Sequence, residues 1–413
     1  MRRRLPGHGP GFQATPAGRA TGRGRAASLF GLAAVVALLL AGCGEASPYS
    51  QISPRTEKAG DIQGLYEFIF WAAAVVFVGV QVFIVYTVLR WRRRNEDRPE
   101  QIHGNRRLEL AWTIIPAVVL LAIFIPTAQL LFAHAAAEEE ADFVIDVYGK
   151  QWWWEFHYPN QGVTEGEPLI TANEVRVPQG ADVVFNLRSN NVIHAFYPPQ
   201  LSGKTDVIPG HNNKLQFDAS TVGEYFGECT EYCGTAHAWM RFKVIVEPEE
   251  NFVSWVQAWR QPPPVPDANP QTAGVVDTPA SFGVCLACHN ITGTQAVGAQ
   301  AGMGANVKSI AAAPNLTLFG CRDHLAGGVL ENTRENVITW LKHTDETKPG
   351  AYMPNYYLPP PDGQGAINDQ QVEELADYLL SLKPADGCPP EQPLGGTEGV
   401  SVSDAPEDPL EGQ

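Results

Sequence analysis

The apolar positions of this chain fall into three regimes. Three predominantly apolar runs, 29–40, 65–89 and 110–132, crowd into its first third. The second and third are each long enough to cross a bilayer as a helix. The first is shorter and follows an Arg-bearing stretch, the pattern of an export signal. From 142 to about 247 the runs become short and alternate with polar positions. Strands are predicted at 143–147, 174–177, 182–188, 214–217, 224–226 and 242–246, separated by Gly, Pro and Asn turns, which reads as a β-sandwich. Phe252, Trp255 and Trp259 then mark a short amphipathic helix. Pro262-Pro263-Pro264 opens an extended, semi-rigid linker to about 278. A last helix is predicted over 370–382, capped by Asn368.

Charge orients these elements. The loop between the two long runs carries Arg90, Arg92, Arg93, Arg94, Arg98, Arg106 and Arg107, so it faces the cytoplasm and everything after 132 lies outside. Glu138, Glu139 and Glu140 fit the outer side. Pro116 and Pro126 are tolerable in a membrane helix. The first run ends in Leu40-Ala41-Gly42-Cys43. That order resembles a lipobox, with cleavage before Cys43 and lipidation of its thiol; the alternative is an ordinary signal peptide. Cleavage removes Arg2, Arg3, Arg4, Arg19, Arg23 and Arg25 and no acid, leaving the mature chain more acidic still. The net charge of −16 excludes nucleic acid as a partner. A length of 413 residues calls for more than one domain.

Two motifs carry chemistry. Cys229-Thr-Glu-Tyr-Cys233-Gly-Thr-Ala-His237-Ala-Trp-Met240 gathers two thiols, an imidazole and a thioether. That is a soft ligand set suited to copper. His194, just beyond the strand 182–188, offers a further imidazole. A zinc loop would leave Met240 and His194 idle, and a disulfide would leave every other donor idle. Beyond the linker, Cys285-Leu-Ala-Cys288-His289 is the attachment motif of a c-type haem, with His289 as the proximal ligand. Met353, in Tyr352-Met353-Pro354-Asn355-Tyr356, is the candidate sixth ligand; Met303, in a Gly/Ala-rich stretch, ranks below it.

The copper segment resembles that of subunit II of the haem–copper cytochrome c oxidases, whose pattern is Cys-x-Glu-x-Cys-Gly-x-x-His-x-x-Met. The resemblance implies the dinuclear centre CuA, with Cys229 and Cys233 bridging both coppers. His194 and Met240 would complete one copper, and His237 and the carbonyl of Glu231 the other. The Glu231 carboxylate would reach a magnesium ion at the boundary with subunit I. Gly149-Lys-Gln151-Trp152-Trp153-Trp154 resembles the family's electron-inlet segment, which gives Trp152 that role. Asn191 stands where the family has Asp near its docking face. Lys204-Thr-Asp206-Val-Ile-Pro209-Gly also matches the family. In His103-Gly-Asn-Arg-Arg-Leu-Glu109-Leu-Ala-Trp112, Glu109 occupies the place of the family's proton inlet at the cytoplasmic mouth of the K path. A Glu at a helix N-terminus suits the macrodipole equally well. Cys321 replaces a residue that is usually Ser in the fused-cytochrome members. It and Cys388 remain after the other five cysteines are assigned; they are expected to pair outside the cytoplasm, or else to be two separate buried thiols.

The expected fold is therefore a two-helix transmembrane hairpin, a cupredoxin-like β-sandwich and an all-α cytochrome c domain. The expected divisions are a lipoprotein signal peptide (1–42), a lipidated N-terminal segment (43–60) and the hairpin (61–137). A CuA domain (138–248), a helix and Pro-rich linker (249–278), a cytochrome c domain (279–388) and an acidic, disordered tail (389–413) follow. The resemblance implies a caa-type, proton-pumping oxidase of a bacterial plasma membrane, with both redox domains extracytoplasmic. Electrons would pass from haem c through CuA to subunit I, which holds haem a-type groups and CuB and reduces dioxygen. Subunit III would be a further partner, and an external cytochrome c or a cytochrome bc complex the donor. The electron-inlet subunit of a CuA-containing nitric oxide reductase and a stand-alone redox lipoprotein are the alternatives.

Overall fold

The structure is a computed structural model. It describes residues 49–92, 104–141, 143–161, 168–260, 279–289, 291, 313–357, 367–384, 387, 388 and 392. The signal segment with Cys43, the linker, Met303, the tail after Cys388 (Gln392 apart) and Arg93, Arg94 and Arg98 lie outside them.

Two long helices, α1 (Glu57–Arg90) and α2 (Arg106–Glu140), form the hairpin. Both begin a turn or more before the apolar run that predicts them, because capping side chains start them earlier. Thr56 Oγ1 accepts from Ala59 N, and Asn105 Oδ1 accepts from Arg107 N and Leu108 N. Their apolar windows bury nothing against the rest of the protein, as lipid-facing helices should. The hairpin is fastened to the sandwich at its outer end. Thr56 Oγ1 donates to the Leu201 carbonyl (2.6 Å), Arg55 N to the Gln200 carbonyl (2.8 Å) and Glu57 N to Asp218 Oδ1 (2.9 Å).

Among the described residues, ten strands build the sandwich: β1 (Phe143–Lys150), β2 (Trp153–Tyr158), β3 (Leu169–Ala172), β4 (Glu174–Pro178), β5 (Asp182–Ser189), β6 (His194–Tyr197), β7 (Thr205–Val207), β8 (Asn213–Asp218), β9 (Gly223–Cys229) and β10 (Arg241–Glu247). One sheet runs β3-β2-β1-β5-β8 and the other β4-β10-β9-β6-β7. The pairs β1/β5 and β10/β4 are parallel and the rest antiparallel. Inward positions such as Trp154, Phe156, Phe185, Phe196 and Phe242 are fully or almost fully buried and pack ring against ring. α3 (Glu249–Arg260) closes the domain with Phe252, Trp255 and Trp259 buried.

The cytochrome region is mostly helical. A 3-10 helix (Ala280–Ala287) precedes Cys288, and α4 (Arg334–Lys342), the single turn α5 (Thr344–Thr347) and α6 (Asp369–Ser381) follow. A two-residue ladder, β11 (His324–Leu325) with β12 (Leu330–Glu331), departs from the all-α expectation. α6 begins with a full capping box between Asn368 and Gln371.

This region docks on the outer face of β4, β9 and β10. Lys243, only 3% exposed, pairs with Glu224 (2.9 Å) and with Asp323 of the cytochrome region. Asp323 N donates to Glu174 Oε1 (3.1 Å), and Arg241 N donates to the Gly327 carbonyl (3.0 Å).

Candidate copper centre and haem pocket

The loop residues that matter converge at one end of the sandwich. Ser189 closes β5 by donating to the Val192 carbonyl (2.6 Å), and His194 opens β6, fully buried. Cys229 ends β9, and a 3-10 turn over His237–Trp239 leads to Met240 and β10. The two cysteine sulfurs lie 3.8 Å apart. Around Cys229 Sγ stand His194 Nδ1 at 3.8 Å and the Glu231 carbonyl at 3.3 Å. Around Cys233 Sγ stand His237 Nδ1 at 3.6 Å and Met240 Sδ at 3.9 Å. All six donors expected from the sequence are thus brought together, with His194, Cys229 and Cys233 a buried cluster able to hold a metal. Two imidazoles, two thiols, a thioether and a carbonyl around a pair of sulfurs fit a dinuclear copper centre.

Electrostatics favour deprotonation of one thiol of this pair. The neighbouring Cys233 thiol, with help from His194, holds Cys229 well below the usual thiol range. The same contact, with burial, pushes Cys233 up. One thiolate is formed readily, and a cation in the loop would favour the second.

Neighbours orient the ligands. Asn191 Oδ1 sits 3.2 Å from His194 Nε2, so the ring keeps Nδ1 for the metal when Nε2 carries the proton. Gln151 and Trp152 form the tip between β1 and β2. Gln151 Nε2 donates to the Cys233 carbonyl at 2.7 Å, and Trp152 Nε1 donates to the same oxygen at 3.1 Å. Gly234 permits this. Its φ is +122°, and a Cβ there would approach Trp152 Cζ2 to 2.9 Å. Gly149 allows His194 the same closeness, since its Cβ would meet the ring at 2.8 Å.

The second site is a cavity of about 380 Å³ lined by Cys285, Cys288, His289 and Met353 and by apolar side chains such as Leu316, Phe319 and Leu375. His289 Nδ1 donates to the Pro314 carbonyl (2.7 Å), which leaves Nε2 for an iron ligand. Burial lowers the pKa of His289 and favours the neutral ring. Two thiols, an imidazole and a thioether around an apolar void fit a covalently held haem. Gln151, Trp152 and Lys348 line the same cavity.

Lys348 carries no sequence signal. Its Nζ, in a residue 4% exposed, donates to the Trp152 and Ala326 carbonyls, each at 2.7 Å. Burial brings its pKa down to about 7. Cys321 and Cys388 are joined by a disulfide. Glu109 lies in the first turn of α2, exposed and far from both redox sites in the chain order.

Fold and sites together define a membrane-anchored electron-transfer protein with a copper-binding sandwich and a haem-binding domain. Family models match in the same order. Residues 51–130 match the transmembrane domain of cytochrome c oxidase subunit II, 143–247 its periplasmic domain, and 279–383 cytochrome c. The chain is 31% identical over 369 residues to cytochrome c oxidase subunit 2 of Alkalihalophilus pseudofirmus, covering 87% of this chain and 98% of the relative. It is 34% identical over 381 residues to that of Bacillus sp. (strain PS3), covering 86% and 97%. The solved periplasmic domain of subunit II of cytochrome oxidase from Bradyrhizobium japonicum is 33% identical, covering 29% of this chain and 93% of its own, at a TM-score of 0.27. The chain belongs to the cytochrome c oxidase subunit 2 family, in the form with a C-terminal cytochrome c domain. It is a membrane-anchored, extracytoplasmic part of a haem–copper oxidoreductase, with CuA and haem c as its cofactors.

Proposed function

We propose that this subunit takes electrons at haem c and hands them through CuA to subunit I of a proton-pumping oxidase. One observation carries the order. Trp152 lines the haem cavity and also donates to the Cys233 carbonyl, so a single side chain belongs to both sites. It is 7% exposed, which leaves a soluble donor little of it to touch.

Bound haem c and CuA each supply a one-electron centre. The chain's residues hold them. Cys285 and Cys288 would provide the thioether links to a haem, and His289 and Met353 would hold its iron. Cys229 and Cys233 would hold the copper pair as thiolates, with His194, Met240, His237 and the Glu231 carbonyl as its further donors. The Glu231 carboxylate is free to reach a magnesium ion at the subunit I boundary. Glu109 serves as the cytoplasmic proton inlet. Subunits I and III are the partners in the membrane, and an external cytochrome c or a cytochrome bc complex is the donor. The acidic chain steers a basic donor in a salt-dependent way.

The test is flash reduction of the assembled complex, followed at both centres. Haem c is expected to be reduced first and copper second, and Trp152→Ala to slow only the second step. Copper reduced before haem c, or an unchanged second step in the variant, would overturn the order.

A further inference from the structure

We propose that Tyr352 is the residue that bridges the cytochrome region to the copper loop, by stacking its ring on Trp152. The inference deepens the haem-to-copper order above and rests on it.

Tyr352 precedes Met353, the candidate iron ligand that lines the cavity. Its ring lies 5.1 Å from that of Trp152, centroid to centroid, at an interplanar angle of 20°. Trp152 in turn donates to the carbonyl of Cys233. From Met353 to the copper thiolate the path is one peptide unit, one ring contact and one hydrogen bond. Only the ring contact crosses space without a bond. Electron tunnelling falls far more steeply across gaps than along bonds, so that contact limits this path. A second path runs beside it. The Tyr352 hydroxyl donates to Gln151 Oε1 (3.3 Å), and Gln151 Nε2 donates to the same Cys233 oxygen (2.7 Å).

The simpler view is that Tyr352 only packs. Two facts weigh against it. Tyr352 is 55% exposed, so it gains little from burial. The seam is also already fastened without it, by Lys348 on the Trp152 carbonyl, Arg241 N on the Gly327 carbonyl and the buried Lys243 pairs. Losing the ring therefore opens the electronic contact and leaves the docking in place.

One electron crosses. The haem iron is oxidised by one unit and the copper pair reduced by one. No bond forms or breaks, neither ring is itself oxidised, and the hydroxyl keeps its proton.

The test uses the assembled complex, with haem c photoreduced by an external ruthenium dye. Tyr352→Leu is expected to lose most of the haem-to-copper transfer rate, because the ring contact that spans the gap to Trp152 is gone. Tyr352→Phe is expected to stay close to the wild-type rate. The haem midpoint potential, the thioether–iron absorption band and the rate of tryptic cleavage at the seam should not change in either variant. Were Tyr352→Leu to transfer at the wild-type rate, the bridge would be wrong. It would equally be wrong if Tyr352→Phe slowed as much, or if the slowing came with faster cleavage or a shifted potential. Should Tyr352→Leu fail to assemble, Tyr352→Trp, which can restack, is expected to keep the rate, and a loss there overturns the proposal. Copper reduced before haem c in the wild type removes the underlying order instead, whatever the variants do.

Discussion

At the scale of single residues, the donors were readable in advance and their supports were not. Cys229, Cys233, His237 and Met240 announce themselves by type and spacing along one segment. Gln151 and Lys348 act through contacts with residues 82 and 196 positions away, on Cys233 and Trp152. No local pattern encodes such distances. Asn191 also shows that a neutral amide can orient His194 where the resembling family has a carboxylate. Glu109 poses a question that energetics can decide. Asn105 already caps α2 through two backbone N–H groups, so removing the Glu109 charge forfeits only a dipole contribution of about 0.3–1 kcal/mol. Glu109→Ala should therefore assemble normally. It is expected to slow steady-state dioxygen turnover while leaving haem-to-copper transfer unchanged. Turnover equal to the wild type would reduce Glu109 to a helix-end charge.

Among elements, those with a strong period or a cap were legible. The final helix was expected over 370–382 with Asn368 as its cap, and α6 runs Asp369–Ser381 from that cap. The strands β2, β3, β6 and β7 were not among those expected; in the last three, three or four residues hold too little alternation to detect. β10 is instructive in another way. Its outward residues Lys243, Ile245 and Glu247 are as buried as its inward ones. Alternation promised a solvent face, but the cytochrome region covers part of it and Arg176 pairs with Glu247 at 2.8 Å. The cap on α6 gives a direct check. Asn368→Ala removes the acceptor for Gln371 N and is expected to destabilise that helix by about 1 kcal/mol. Hydrogen exchange in the first turn of α6 would report it, and protection equal to the wild type would contradict it.

For the whole molecule, the seam between the copper and cytochrome regions buries charge, with Lys243 set against Glu224 and Asp323. Breaking one such pair strands the rest, which is why buried pairs are costly to disrupt. His324 lies in this seam, 6.0 Å from the Phe226 ring and near Lys243, Asp323 and Arg241. Burial first, and Lys243 next, bring its pKa down to about 4. The unfolded chain takes up that proton near pH 6.5, so stability is lost as pH falls from about 6.5 to about 4, by up to roughly 3 kcal/mol. The buried carboxyls of Glu174 and Glu224 have raised values and work in the opposite sense. The informative quantity is thus a difference. The stability of the wild type should fall off more steeply with acid than that of His324→Gln across this window. Parallel curves would show that His324 is not the group responsible.

The cysteines of the extracytoplasmic part carry one more consequence. Cys321 and Cys388 are joined, whereas Cys229, Cys233, Cys285 and Cys288 are free. Copper ligation needs the first two of those as thiolates, and haem attachment needs the other two as thiols. One compartment must therefore oxidise one pair and spare two others on the same exported polypeptide. Maturation of this chain is a sorting problem before it is a folding problem: an oxidant that acts early on the wrong pair yields a chain that can be well packed and still unable to receive either metal.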